Sequence, residues 1–144
     1  MKYPAMDWFK RNLRGSPSRD AFKQWHKTLF ADLYACDADF VLVNKHPPGI
    51  VAVLDYKQPK DSTTFAEVLA YNAFINKGIQ VFIVFGEEPF KKFDIHAYLG
   101  GDSVPEPPDV NLRFVRTTEG KLEFAQWERE LRNNWKKDSS IGSN

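Results

Sequence analysis

Three side chains in this 144-residue sequence have the types and spacing for chemistry: Asp39, Asp55 and Lys57. Asp39 stands at the head of the apolar run 40–43, and Asp55 and Lys57 close the run 50–54. Between the runs, residues 44–49 carry Pro47, Pro48 and Gly49, so the stretch reads as strand, turn, strand. In an antiparallel hairpin the start of one strand lies beside the end of its partner, which places Asp39 next to Asp55 and Lys57. Residues 55 and 57 are two apart and leave the same face of the sheet. Two close carboxylates repel unless a cation neutralises them. Lys57 relieves one of them, and an ion pair accounts for Asp55 and Lys57; the second acid asks for more. A hard divalent ion, Mg²⁺ or Mn²⁺, takes one or two carboxylates plus waters and phosphate oxygens. The backbone carbonyl of Tyr56 is an expected further ligand. Such an ion polarises a phosphoryl oxygen and lowers the pKa of a bound water. Lys57 beside it can orient or deprotonate that water, or stabilise the pentacovalent phosphate. The chemistry within reach is hydrolysis of a phosphodiester.

The elements that must position these groups follow from the rest of the chain. Residues 1–15 mix Trp8, Phe9 and Leu13 with Lys10, Arg11 and Arg14, giving a short amphipathic arm for packing or phosphate contact. Ser16 and Pro17 then mark a helix start. Phe22, Trp25, His26, Leu29, Phe30 and Leu33 form its apolar stripe, flanked by Arg19, Lys23 and Lys27. His26 inside that stripe is either a hydrogen-bonded core residue or an auxiliary group facing Asp39. After the hairpin, residues 62–78 read as a second helix. Thr64 and Glu67 form a capping box, Phe65, Val68, Leu69 and Ile75 form a stripe, and Gly78 is the stop. The apolar run 79–85 reads as a central strand covered on both faces, parallel to 50–57 through a right-handed crossover. Residues 90–100 are expected to form a short edge strand and 100–109 a loop with two Gly and three Pro. Residues 112–116 read as a strand followed by a turn at 118–120. Residues 124–136 read as a helix with Trp127, Leu131 and Trp135 spaced four apart.

Composition narrows the class. With 42% apolar and 27% charged residues the chain fits one globular domain, here taken as 1–137, followed by a disordered polar tail at 138–144. A net charge of +1 means that any nucleic-acid surface is a local patch. The single Cys36 excludes an internal disulfide and suits a reducing compartment, and no stretch approaches a membrane span. A cytoplasmic protein is expected, with no membrane partner.

The pattern D-x₁₅-D-x-K made by Asp39, Asp55 and Lys57 resembles the PD-(D/E)-x-K nuclease superfamily, which has the restriction-endonuclease-like fold. Residues 16–86 follow the order of that core: helix, strands, helix, strand. The string Trp25-His26, Asp37-Ala38-Asp39-Phe40-Val41 and Asp55-Tyr56-Lys57 also resembles small bacterial and phage members. The resemblance implies an α/β (α+β) fold with a mixed central sheet flanked by helices. It implies Asp39 and Asp55 as metal ligands, Lys57 as the catalytic lysine and Gln58 at a polar auxiliary position. Ala38 stands where the motif's name has proline. Some branches carry Gln-x-x-x-Tyr on the second helix; Glu67 and Tyr71 have that spacing, with Glu67 assigned first to the capping box. Asp37 alternates with Asp39 across the strand start and is at most an outer partner.

Two functional classes follow. One is a Mg²⁺-dependent nuclease on nucleic acid, DNA ahead of RNA. Arg19, Lys23, Lys27 and Lys60 would contact phosphates, and a homodimer or larger complex would supply the two sites that double-strand cutting needs. The other is a module of the same fold that binds nucleic acid or protein without catalysis.

Overall fold

The computed structural model describes residues 17–26, 28, 40–87 and 89–142. The chain divides into two compact units, Met1–Ala35 and Cys36–Asn144. In the first, α1 spans Pro17–His26 and opens on a proline, whose missing N–H costs nothing in a first turn. The Phe22 ring lies 5.7 Å from Trp25 and 6.2 Å from His26, the helical neighbours three and four residues on. The expected arm 1–15, the cap Ser16 and the stripe's continuation through Leu29, Phe30 and Leu33 fall outside the described residues.

The second unit runs β1 (Phe40–Asn44), β2 (Gly49–Lys57), α2 (Phe65–Asn76), β3 (Gln80–Gly86), β4 (Lys92–Asp102), β5 (Asp109–Glu119) and α3 (Gly120–Gly142). Its five strands form one sheet in sequence order. β2 and β3 are parallel and the other pairs antiparallel, so the sheet is mixed and the fold is α+β. The hairpin forms as its breaker dictates, with Phe40 opposite Leu54 and Asn44 opposite Gly49. Asn44 Nδ2 donates to the Pro47 carbonyl at 2.9 Å and closes the turn. At Gly49 an added Cβ would stand 2.5 Å from the Trp135 ring, so only glycine lets α3 lie this close to β2.

The α2 boundaries are those of the capping box. The Thr64 hydroxyl accepts from the Glu67 N–H and the Glu67 carboxylate accepts from the Thr64 N–H. At the other end Gly78 sits at φ +80°, in the left-handed region that glycine enters freely. Alternation along β2 sends Val53, Asp55 and Lys57 to the α2 side, and Ala52, Leu54 and Tyr56 to the α3 side. Val53, Val81, Ile83 and Tyr98 pack with Tyr71 of α2. Ala52, Leu54, Phe82, Val84 and Ile95 pack with Trp127 and Leu131 of α3. With a layer on each face, β3 is apolar from Val81 to Phe85, as its sequence implies.

Three expectations are corrected here. β4 is an eleven-residue interior strand paired on both sides, not a short edge strand. Its Gly100 and Gly101 lie within the strand, next to a register shift between Tyr98 and Gly100. Asn72 of α2 replaces the missing side-chain contacts. Its Oδ1 accepts from the Tyr98 hydroxyl at 2.6 Å and the Gly101 N–H at 3.1 Å, and its Nδ2 donates to the Gly101 carbonyl at 3.0 Å. β5 runs on to Glu119, where a turn was expected, because Gly120 at φ +78° leads straight into α3. α3 therefore starts at Gly120, four residues before the expected start, and continues through residues 138–142. Among the described residues no helix is long and apolar enough to cross a membrane.

Candidate active site

The β2 strand delivers Asp55 and Lys57 to the α2 side, where both are buried, at 1% and 7% exposure. Only residues 58–64 separate β2 from α2, so the first turn of α2 returns beside the strand end. That turn brings Glu67. The Lys57 ammonium lies 3.0 and 3.3 Å from the two Glu67 carboxylate oxygens and 3.3 Å from Asp55 Oδ2. Glu67 also accepts from the Thr64 N–H at 2.8 Å and from the Tyr71 hydroxyl at 3.4 Å. Tyr71, one turn further along α2, is fully buried and meets Tyr98 edge-on at 5.5 Å. Glu67 is thus both helix cap and partner of the strand's lysine.

Electrostatics follows from this crowding. Burial alone would lower the Lys57 pKa; the hydrogen bond to Glu67 and the charges of Asp55 and Glu67 outweigh it and hold the ammonium above the usual lysine value. Burial alone would raise the Glu67 carboxyl. The Thr64 amide, Lys57 and a hydrogen bond with Asp55 outweigh that and hold it below the usual carboxylate range. Deprotonating a water needs a neutral amine, and this site favours the ammonium. What it can do is orient an oxygen and stabilise negative charge.

No family model, curated protein or solved structure matches this chain. Its site is read from its own residues. Asp39 and Asp37 lie outside the described residues; Phe40, directly after Asp39, is paired with Leu54, directly before Asp55. Tyr56 turns its side chain to the opposite face, where its hydroxyl donates to the Gly86 carbonyl at 3.0 Å. Gln58 is exposed and its N–H donates to Asp61 Oδ2 at 2.9 Å, which makes it part of the turn after β2. Lys60 is exposed on the same turn. His26 belongs to the first unit, where its half-buried ring lies against Phe22. Arg19 and Lys23 fall on α1, and Lys27 is outside the described residues.

Among the described residues no group of three or more His, Cys, Asp or Glu side chains is placed to hold a metal ion. The two carboxylates that do meet, Asp55 and Glu67, offer hard oxygens only, the donor type that Mg²⁺ and Mn²⁺ take. Glu67 accepts from Thr64, Lys57 and Tyr71, and Asp55 is paired with Lys57 as well. The residue that the sequence reading underused is Glu67. Its signal was present: a capping box so soon after a strand end places the N3 glutamate beside that strand, and Tyr71 follows one turn later on the same face.

Proposed function

We propose that this protein is a metal-dependent phosphodiesterase acting on nucleic acid, a nuclease, with its centre at the carboxyl end of β2. The observation that carries this reading is a buried lysine ammonium held within 3.3 Å of two acidic side chains at that strand end. Asp55, Asp39 and the Tyr56 carbonyl would hold a Mg²⁺ or Mn²⁺ ion. When bound, the ion supplies charge neutralisation for the phosphate and a bound water of lowered pKa. Lys57 keeps its proton and faces the non-bridging phosphate oxygens, whose charge grows in the transition state. Glu67 and Tyr71 set where that ammonium points. DNA is the first substrate to try and RNA the second.

The test is cleavage of single- and double-stranded DNA and RNA, with Mg²⁺, with Mn²⁺ and with EDTA, by the wild type, Asp39→Ala and Lys57→Met. Metal-dependent cutting is expected, and each substitution should reduce it about a hundredfold or more, the scale of losing one charge-stabilising group. A folded wild type that cuts nothing in any metal would sink the reading. A second reading rests on the same lysine: with three acidic oxygens around it, Lys57 is also suited to be a structural brace in a module that binds without cutting. Calorimetry with Mn²⁺ separates the two, because a brace needs no metal.

A further inference from the structure

On the α2 side of the sheet, next to the site, lies a cavity of about 550 Å³. That is within the size range of small-ligand pockets. It opens where β2 and β3 end. Phe85, Glu87, Lys91, Lys92, Asp94 and His96 form much of its wall, so it carries acids as well as lysines. In open sheets the carboxyl ends of parallel strands are where ligands sit. Phe85 is registered directly opposite Lys57, so the cavity begins one strand spacing, about 4.8 Å, from the candidate centre.

The wall has two kinds of chemistry. One is aromatic: the His96 ring meets Phe85 edge-on at 5.3 Å and Phe114 at 5.4 Å. His96 Nδ1 is buried with no hydrogen-bond partner among the described residues. Nε2 is left to donate to, or accept from, a ligand. The other kind is cationic. Lys91 and Lys92 are exposed at the start of β4, and neither pairs with a carboxylate among the described residues. Asp94, in contrast, accepts from the Thr117 hydroxyl at 2.6 Å. An aromatic floor beside lysines that pair with no carboxylate among the described residues is an arrangement that takes a base on its face and a phosphate at its rim.

We propose that this cavity is a nucleotide subsite. It holds the nucleotide next to the scissile phosphate of a single strand, with the base against Phe85 and His96 and its phosphate at Lys91 and Lys92. The assignment rests on the phosphodiesterase reading and extends it, because an unstacked base must be presented and a duplex buries its base faces. It also accounts for the lysines, which the centre itself does not use.

The test is made in EDTA, so that it does not depend on cutting. Thymidine 5′-monophosphate is titrated into the full chain while the His96 imidazole proton resonances are followed, assigned through His96→Gln. The same titration is run with inorganic phosphate alone. Expected is a saturable shift of the His96 resonances with the nucleotide and not with phosphate. Lys91→Glu/Lys92→Glu should weaken the nucleotide about tenfold or more. An unmoved His96, an equal response to phosphate alone, or unchanged affinity in the double variant would each overturn the subsite. If the nucleotide binds as described but the folded protein cuts nothing in Mg²⁺ or Mn²⁺, the subsite stands and the nuclease reading falls. If it cuts and His96 does not respond, the reverse holds.

Discussion

Replacing Lys57 by Met removes the ammonium that lies within 3.3 Å of both Asp55 and Glu67. Met has similar length and no charge, so the change is electrostatic more than steric. The ammonium lies 3.0 and 3.3 Å from Glu67 and 3.3 Å from Asp55, with side-chain exposures of 8% for Lys57, 2% for Asp55 and 14% for Glu67. Breaking a buried pair by deleting one partner costs about 3–5 kcal/mol. Glu67 retains the Thr64 amide and some solvent, so about 3 kcal/mol at pH 7 is the working figure. The pH dependence has a definite sign. In the wild type the Glu67 carboxyl is held low, so its contribution is present above about 4.5 and is lost as pH falls through the folded value. In the variant two facing carboxylates without a cation push one pKa up, so protonation relieves the fold as pH falls. The gap between wild type and variant should therefore narrow from pH 7 to pH 4.5. Urea denaturation at both pH values measures it. A variant within about 0.5 kcal/mol of wild type at pH 7, or a gap that widens on acidification, would refute the charge cluster as described.

The remaining expectations concern the lysine's role and the scaffold. Lys57→Arg keeps a positive charge and cannot act as a base, so it should retain more cleavage than Lys57→Met; equal loss in both would favour a base role over charge stabilisation. Gly49→Ala puts a Cβ 2.5 Å from the Trp135 ring, and calorimetry should show a loss of about 1–3 kcal/mol. Asn72→Ala strips partners from Tyr98 and from both backbone groups of Gly101, and urea melts should show a loss of about 1–3 kcal/mol. Burial pushes the Tyr98 hydroxyl up to about 12 from 10.0, which favours the neutral phenol in the fold. Its contribution is whole below pH 10 and is lost as pH rises through about 12, and Tyr98→Phe should flatten that part of the alkaline stability curve.

What was legible in the sequence was whatever rests on local chemistry. The breaker at 44–49 fixed the hairpin, and its register came out with Phe40 on Leu54. The Thr64–Glu67 box fixed the start of α2, and the apolar run after Gly78 fixed a central parallel strand. Asp55 and Lys57 were placed together by period two alone. What failed was read from residues whose local preference is overridden by distant partners. Gly100 and Gly101 signal a loop, yet Asn72, 29 residues away from Gly101, holds them in a strand. Gly120 signals a turn, yet its left-handed φ serves as the hinge between β5 and α3. Glu67 was given one role because a capping box explains a glutamate completely at the local level. Its second partner, Lys57, becomes visible only once the short 58–64 connection folds the helix back.

The position of the charged cluster favours the proposed phosphodiesterase over a role in stability alone. The face that carries Asp55 and Lys57 also carries Val53, Val81 and Ile83, all buried and packed on α2. Apolar side chains therefore fit this surface, and a well-packed apolar replacement of a buried ion pair is commonly neutral or stabilising. Glu67 serves the helix cap, and stability alone gives no reason for Asp55 and Lys57 beside it. The cost of desolvating them is offset by the Thr64 cap and the Tyr71 hydroxyl, both supplied by the one helix that returns beside the strand end. A helix start has in this way been made into the support of a lysine ammonium. Charges of this kind next to a cavity fit the phosphodiesterase proposed above, in which they would stabilise the transition state.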